Sequence, residues 1–251
     1  MLGFRRKSYF VALLLLLFLP ALVSAQAGKN GAVIITVPNT PVNEYTTLTA
    51  NVVANSSSLT VTASALNASG VFTTPLAAGD LVMVIQMQGA SMGLNDDTTY
   101  GVINSYNNCG NYELRQVLSV PNPTTINLSC GLQKAYTATG RVQVVRVPRY
   151  TTLTINAGAS ITCPSWNGTT GGVVAIEVDG AMVINSGGSV DASGKGFRGG
   201  ALSENLSAFG ALNYLWNAGN YGADKGEGIA GSQTDYDGFS GRFCKGAPAN
   251  G

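Results

Sequence analysis

Seven acidic side chains are the groups that could do chemistry in this sequence. Two lie near predicted turns, Asp179 and Asp191, and five lie in late glycine-rich loops: Glu204, Asp224, Glu227, Asp235 and Asp237. Histidine is absent from the 251 residues, which excludes a Ser-His-Asp or Cys-His catalytic device in this segment. Carboxylate chemistry on a polysaccharide remains, and it needs two carboxyl groups at a set separation, one with a raised pKa. We expect instead that these acids keep turns and loops hydrated, as Asp179-Gly180 does in an ordinary turn.

Oxygen ligands for calcium are offered by Asn95, Asp96 and Asp97 together with Glu113. Their spacing lacks the D-x-D-x-D-G order of a known calcium loop, so we interpret residues 90–111 as a solvated insertion. The absence of His and of a C-x-x-C pair leaves no support for zinc. We therefore predict no catalytic residue, no metal site and no cofactor.

Four aromatic side chains could stack on sugar rings, because they combine broad apolar faces with polar edges. For Trp166 we favour packing over an open end of the fold. Tyr214, Trp216 and Tyr221 are the predicted ligand-binding residues, although they could also cover an open end.

The four cysteines are Cys109, Cys130, Cys163 and Cys244, which permit three pairings. An exported chain can form disulfides. We favour Cys109 with Cys130, because this bond closes a short loop inside one domain.

A repeat in the second half predicts how the chain is organised. Residues 155–161 read INAGASI and residues 184–190 read INSGGSV, 29 residues later. A constant offset in this range is typical of stacked coils, in which each coil buries its apolar row on the next. Between the repeats, Val174, Ile176 and Val178 alternate with other side chains, as in a strand with one inward face. We predict a parallel β-helix; two hairpins with a shared turn sequence are the alternative.

Short strands at the spacing of an all-β domain fill the first half. Residues 81–88 (LVMVIQMQ) are apolar at nearly every position before Gln86, which predicts burial on both faces or a central strand of a small barrel. The fold class is therefore all-β, a small β-barrel or sandwich followed by the first coils of a parallel β-helix with glycine-rich loops. We predict the barrel or sandwich at 27–148, the start of the β-helix at 149–200 and glycine-rich loops at 201–251. Because an open coil leaves an unpaired edge, we expect the chain to continue into a longer protein.

The first 25 residues have the form of a signal peptide. Arg5, Arg6 and Lys7 precede a leucine-rich run at 10–19, and Val23-Ser24-Ala25 offers a cleavage site. The remaining chain has 11 Lys and Arg against 13 Asp and Glu, a net charge of −2. Without a basic patch, nucleic acid is not an expected partner. We predict an exported protein with no membrane span after cleavage.

Five strings carry a resemblance to a known family; they are AGDLVMVIQMQGA at 78–90, QVVRVPRY at 143–150, WNGTTGGVVA at 166–175, GFRGG at 196–200 and GAPANG at 246–251. Together they resemble the N-terminal region of large secreted or surface proteins of the Bacteroidota. The resemblance implies export, often by the type IX secretion route, and an adhesin-like or gliding-linked protein. It implies no particular activity.

These observations favour a non-enzymatic surface or extracellular module, a structural or adhesive part of a larger protein. Its expected partners are glycans or surface proteins. The alternatives are a carbohydrate-active β-helix enzyme that uses the late-loop acids, and a glycan-binding module.

Overall fold

The computed structural model describes residues 27–200 and 225–238. Almost all of its regular structure is strand. In chain order the strands are β1 (Ala32–Ile35), β2 (Thr40–Pro41), β3 (Glu44–Thr47), β4 (Ser58–Thr60), β5 (Leu81–Gln86), β6 (Ser91–Met92), β7 (Ile103–Ser105), β8 (Tyr112–Asn122), β9 (Thr125–Leu128), β10 (Val142–Val147), β11 (Arg149–Tyr150), β12 (Thr152–Ile155), β13 (Ser160–Thr162), β14 (Glu177–Val178), β15 (Met182–Ile184) and β16 (Ser189–Val190). A 3₁₀ turn spans Ala138–Gly140, and a short helix, α1, spans Gln233–Gly238.

A parallel β-helix forms one half of the molecule. Its sheets have the strand orders β1-β12-β15, β2-β13-β16 and β11-β14, and every pairing in them is parallel. Ile155 pairs with Ile184, so the residues of the sequence repeat lie in adjacent layers. The side chains of Leu153, Ile155 and Ile161 are fully buried in the row between the layers. The predicted all-β fold with a parallel β-helix is therefore confirmed.

The first coil of the β-helix comes from the start of the chain. Strand β1 pairs with β12, placing Ile35 beside Ile155, and β2 pairs with β13. Residues 32–41 therefore lie in the solenoid, whereas the sequence boundary put them in the barrel or sandwich of 27–148. The boundary was misplaced because a whole domain is inserted between the first coil and the second, so no constant offset links β1 to the later repeats.

The inserted domain is a small barrel rather than a sandwich. Its antiparallel sheet has the order β3-β10-β5-β8-β9-β4. Two backbone hydrogen bonds join β3 and β4, the first and last strands of this order. Thr49 N–H donates to Thr60 O at 2.9 Å, and Thr62 N–H donates to Thr47 O at 3.0 Å. These bonds close the sheet on itself, so it has no long free edge.

The central strands of the barrel are buried on both faces, as the apolar run at 81–88 predicted. Val82 and Val84 of β5 point into the barrel core, whereas Leu81 and Met83 pack in a second cluster outside it. Val173 and Ala175 of the solenoid pack against that second cluster. The β-helix therefore covers one outer face of the barrel, and apolar packing joins the two parts.

The structure corrects the predicted disulfide, because Cys109 and Cys130 are free thiols. Cys109 donates a hydrogen bond to the carbonyl oxygen of Met87 at 3.2 Å, before β8 begins. Cys130 follows Ser129, whose N–H bonds to Gln116 O well along β8. At a rise of about 3.3 Å per residue this stretch of strand holds the cysteines farther apart than the ~7 Å between Cα atoms that a disulfide tolerates. Cys163 is also free, and Cys244 lies outside the described residues.

Within the part of the chain that the structure describes, no helix has the length and apolar character needed to cross a membrane.

Candidate functional site

A cleft opens where the barrel meets the β-helix. Its cavity has a volume of about 340 Å³. One wall comes from the barrel and one from the loop after β13. Its lining includes Pro41, Tyr45, Ala68, Val71, Pro164 and Ser165. Proline, valine and tyrosine faces therefore form an apolar surface beside exposed hydroxyl groups.

Buried polar side chains hold the two walls in place. The carboxylate of Glu44 accepts hydrogen bonds from Ser69 N–H at 3.1 Å and Val71 N–H at 3.2 Å, which fixes the barrel wall. The amide of Gln143 fixes the other wall, because it donates to Gly171 O and accepts from Gly171 N–H, both at 3.0 Å. Both side chains are buried, so the cleft is formed before any ligand arrives.

Asn43 and Tyr45 connect the barrel floor to the solenoid. Asn43 donates to the carbonyl oxygens of Arg146 at 2.9 Å and Ala175 at 2.7 Å, and accepts from Ala175 N–H at 3.0 Å. The hydroxyl of Tyr45 donates to Val173 O at 2.6 Å, and burial raises the pKa of Tyr45 above its ordinary value. Tyr45 therefore stays protonated at neutral pH and acts as a donor, not as an acid or base.

A second group of charged side chains lies at the same junction. Asp80 bonds to Arg146 at 2.8 Å and to Lys29, in the segment that leads into β1, at 2.6 Å. Arg149 forms an ion pair with Glu177 of the next coil and donates to Gly79 O of the barrel at 3.0 Å. Asp80, Arg146 and Arg149 are buried, and each has more than one partner, which holds their geometry.

Of the acidic residues considered for catalysis, Glu227 is held in an ion pair. Glu227 is buried against Arg198, at 2.6 Å between carboxylate and guanidinium. Burial opposes the ionisation of Glu227, but the hydrogen bonds from Arg198 outweigh it and keep its pKa below the ordinary value. Glu227 is therefore ionised and is not a general acid, which requires a raised pKa.

The other predicted acids lie in turns or outside the described residues. Asp235 accepts from Ser232 N–H and from the Ser232 hydroxyl, both at 2.7 Å, as in the capping box of a helix. Asp179 and Asp191 are exposed at coil turns, and hydrogen bonds from Ser193 lower the pKa of Asp191. Glu204 and Asp224 lie outside the described residues, as does the side chain of Asp237.

The candidate calcium ligands serve local structure. Asp97 accepts from Thr99 N–H at 2.7 Å in an exposed turn, and Asn95 and Asp96 are exposed nearby. Glu113 is buried, and its oxygens accept from Gln133 N–H, Lys134 N–H and the Tyr136 hydroxyl. Among the described residues no three His, Cys, Asp or Glu side chains converge on a point where a metal could sit.

Trp166 packs between layers and does not face a ligand. It is 2% exposed, and its ring meets the edge of Phe197 at 5.7 Å between centroids. The backbone N–H of Trp166 donates to Lys195 O of the next coil at 2.7 Å. Tyr214, Trp216 and Tyr221 lie outside the described residues.

The residues that shape the cleft were not among the sequence candidates. Glu44, Asn43 and Gln143 belong to or border short strands that were interpreted only as strands. The sequence contained one indication of these buried polar residues: Gln143 and Arg146 interrupt the apolar run VQVVRV at 142–147. A polar side chain in a strand that is otherwise apolar has to find a buried partner.

The chain matches no family model and none of the curated proteins. Its fold shows a weak likeness to solved phage tailspikes. The tailspike gp61 of Pseudomonas phage phi297 is 16% identical, with a TM-score of 0.28 over 66% of this chain and 24% of that one. The gp54 tailspike of Acinetobacter baumannii phage AP22, solved with an A. baumannii capsular saccharide, is 16% identical, with a TM-score of 0.29 over 61% and 24%.

The tailspike gp49 of Pseudomonas phage LKA1 is 13% identical, with a TM-score of 0.24 over 53% of this chain and 22% of that one. This chain thus spans about a quarter of the length of each tailspike. At these identities and TM-scores the likeness says nothing about activity.

Proposed function

We propose that this chain is a non-enzymatic structural module of a larger exported bacterial protein, with the β-helix as a rigid stalk and the barrel as a platform fixed to its side. The proposal is supported by charged side chains that hold the barrel and the solenoid together. Lys29 and Arg149, on the solenoid side of the junction, bind Asp80 and Gly79 O of the barrel. Arg146 holds Asp80 from within the barrel, and Glu44 binds the backbone of the cleft wall. A rigid platform requires such contacts, because domains joined only by a small polar interface move relative to each other.

Native-state hydrogen exchange tests the rigidity. We expect amides of β10 in the barrel and of β12 in the solenoid to exchange with the same free energy of opening, because the two parts unfold as one cooperative unit. A barrel that opens several kcal/mol more easily than the solenoid is a hinged domain, and the platform proposal is then wrong.

A polysaccharide-cleavage panel tests the absence of catalysis. We expect no product from the full-length protein, because Glu227 is ionised in an ion pair and Asp235 is engaged at a helix start. Turnover that disappears in Glu227→Gln or Asp235→Asn, with folding intact by circular dichroism, contradicts the proposal and supports the enzyme.

A second candidate function, glycan binding, is favoured by the cleft. Apolar ring faces and neutral hydroxyls suit a neutral sugar, which presents an apolar face and hydroxyl groups. Ala68→Trp fills the cleft, and Ala65→Trp is its matched control on the same segment, exposed but not lining the cavity. On a glycan array followed by calorimetry, we expect Ala68→Trp to weaken binding about tenfold or more, which corresponds to about 1.4 kcal/mol.

Equal binding by both variants contradicts a site in the cleft. Binding that is lost in Trp216→Ala but kept in Ala68→Trp assigns the sugar to the late segment instead.

A further inference from the structure

The cleft between the barrel and the β-helix is lined by a single charged side chain. Among the lining residues that the structure describes, Glu44 is the one that carries a charge, and it is only 5% exposed. No lysine or arginine of the described ranges forms an ion pair with it. A buried carboxylate without a countercharge in contact makes the electrostatic potential of such a cleft negative.

Arg146 lies opposite Glu44 in the pairing of β3 with β10, but its charge is directed to Asp80. Its guanidinium donates to Asp80 at 2.8 Å and to two backbone carbonyl oxygens, and it does not line the cleft. Burial lowers the pKa of Arg146, and Asp80 opposes this lowering more than Glu44 does. Within the cleft, burial and then the charges of Cys163 and Glu44 raise the pKa of Tyr45, so the field of Glu44 reaches the lining.

Backbone N–H groups on both walls of the cleft are already satisfied by the protein's own acceptors. The carboxylate of Glu44 accepts from Ser69 N–H and Val71 N–H on the barrel wall. On the solenoid wall, the side-chain oxygen of Asn167 accepts from Thr170 N–H at 2.9 Å. Backbone N–H groups are the usual binding partners of anions in loops, and these three are not available to a ligand.

We propose that the cleft selects its saccharide by charge, with Glu44 as the specificity-determining residue. It prefers an amino sugar with a free, protonated amine, binds a neutral sugar more weakly and rejects a uronic acid. The hydroxyl oxygens of Ser69 and Ser165 in the lining are acceptors for the N–H groups of the ammonium. This inference rests on the second candidate function, glycan binding in the cleft, and names the class of sugar.

Calorimetry with the full-length chain tests the ranking. The probes are a glucosamine oligomer, its N-acetylated form and a galacturonic acid oligomer of the same length, at mildly acidic pH, where the free amine carries its proton. We expect the glucosamine oligomer to bind at least about tenfold more tightly than the N-acetylated one, and the galacturonic acid oligomer to bind at least about tenfold more weakly than the N-acetylated one. Added salt should narrow both differences.

Glu44→Gln separates the charge of Glu44 from its structural role, because glutamine keeps an acceptor for the wall N–H groups. In this variant, folded by circular dichroism, we expect the three affinities to agree within about threefold. Asp179→Asn is the matched control, because it removes an exposed carboxylate that does not line the cleft. It should leave the ranking of the wild type unchanged. The wild-type ranking is a sufficient test if Glu44→Gln does not fold.

Equal binding of the glucosamine and N-acetylated oligomers to the wild type, or an unchanged ranking in folded Glu44→Gln, overturns the charge inference. Glycan binding in the cleft survives that result if Ala68→Trp still abolishes the binding of these oligomers. If no oligomer binds the wild type, glycan binding and its charge selection both fail. A lysine oligomer that binds as tightly as the glucosamine oligomer, and does so only when Glu44 is present, overturns the assignment to a sugar.

Discussion

Replacing Arg146 by methionine is expected to lower the free energy of unfolding by about 3–5 kcal/mol, because it leaves a buried carboxylate short of its partner. Arg146 is 2% exposed and bonds to Asp80 at 2.8 Å. It also donates to Thr74 O at 2.7 Å and stacks over the ring of Phe72, 4.0 Å from its centroid. Urea unfolding of the full-length chain measures the loss.

Lys134→Met is the control for removal of a positive charge. Lys134 is exposed, so we expect a change within about 0.5 kcal/mol. The double variant Arg146→Met with Asp80→Asn should lose less than the sum of the two single changes, by about 1–3 kcal/mol, because the two side chains are in direct contact. An additive double variant, or a loss below about 1 kcal/mol for Arg146→Met, shows that the stability of the fold does not depend on this pair.

Glu113→Gln is the second change with a large expected effect, about 2–3 kcal/mol of unfolding free energy at neutral pH. The carboxylate accepts from Gln133 N–H at 2.7 Å and Lys134 N–H at 2.8 Å, and it pairs with Arg115. A glutamine amide has one acceptor oxygen in place of two, so a buried donor loses its partner. Leu114→Gln, on the exposed face of the same strand, is the control and should change stability little.

The pH dependence of this effect has a defined sign. Burial of Glu113 opposes ionisation, but the two backbone N–H groups and Arg115 outweigh it and hold the pKa of Glu113 below its ordinary value. A carboxylate whose pKa is lower in the folded state stabilises the fold fully above the unfolded pKa of about 4.3. The contribution is lost as the pH falls through the folded pKa.

The stability difference between the wild type and Glu113→Gln should therefore be constant near neutral pH and shrink below about pH 4. Urea titrations at a series of pH values measure this difference. A difference that stays constant down to pH 2, or one that grows on acidification, is incompatible with an ionised Glu113 held by these donors.

The signal peptide, the export route and the relation to Bacteroidota surface proteins remain predictions of the sequence. The structure overturns the predicted disulfide between Cys109 and Cys130. Its failure has a simple cause, because a short loop in sequence can still be held open by an extended strand. Cys109 precedes β8, whereas Ser129, next to Cys130, bonds to Gln116 O inside β8, so the extended start of this strand separates the two cysteines.

The sequence by itself determined the parts of the fold that depend on local pattern. The repeat at 155–161 and 184–190 placed Ile155 on Ile184, and the apolar run at 81–88 predicted a strand buried on both faces. Both succeed because alternation and constant spacing are properties of neighbouring residues and neighbouring coils.

Only the tertiary structure decided that β1 completes the solenoid and that Glu44, Asn43 and Gln143 shape a cleft. The contact of Asn43 with Ala175 spans the whole inserted domain, and the contacts of Glu44 with Ser69 and of Gln143 with Gly171 span 25 and 28 residues. No local pattern encodes them, because they exist only once the barrel has closed and brought its outer face against the β-helix.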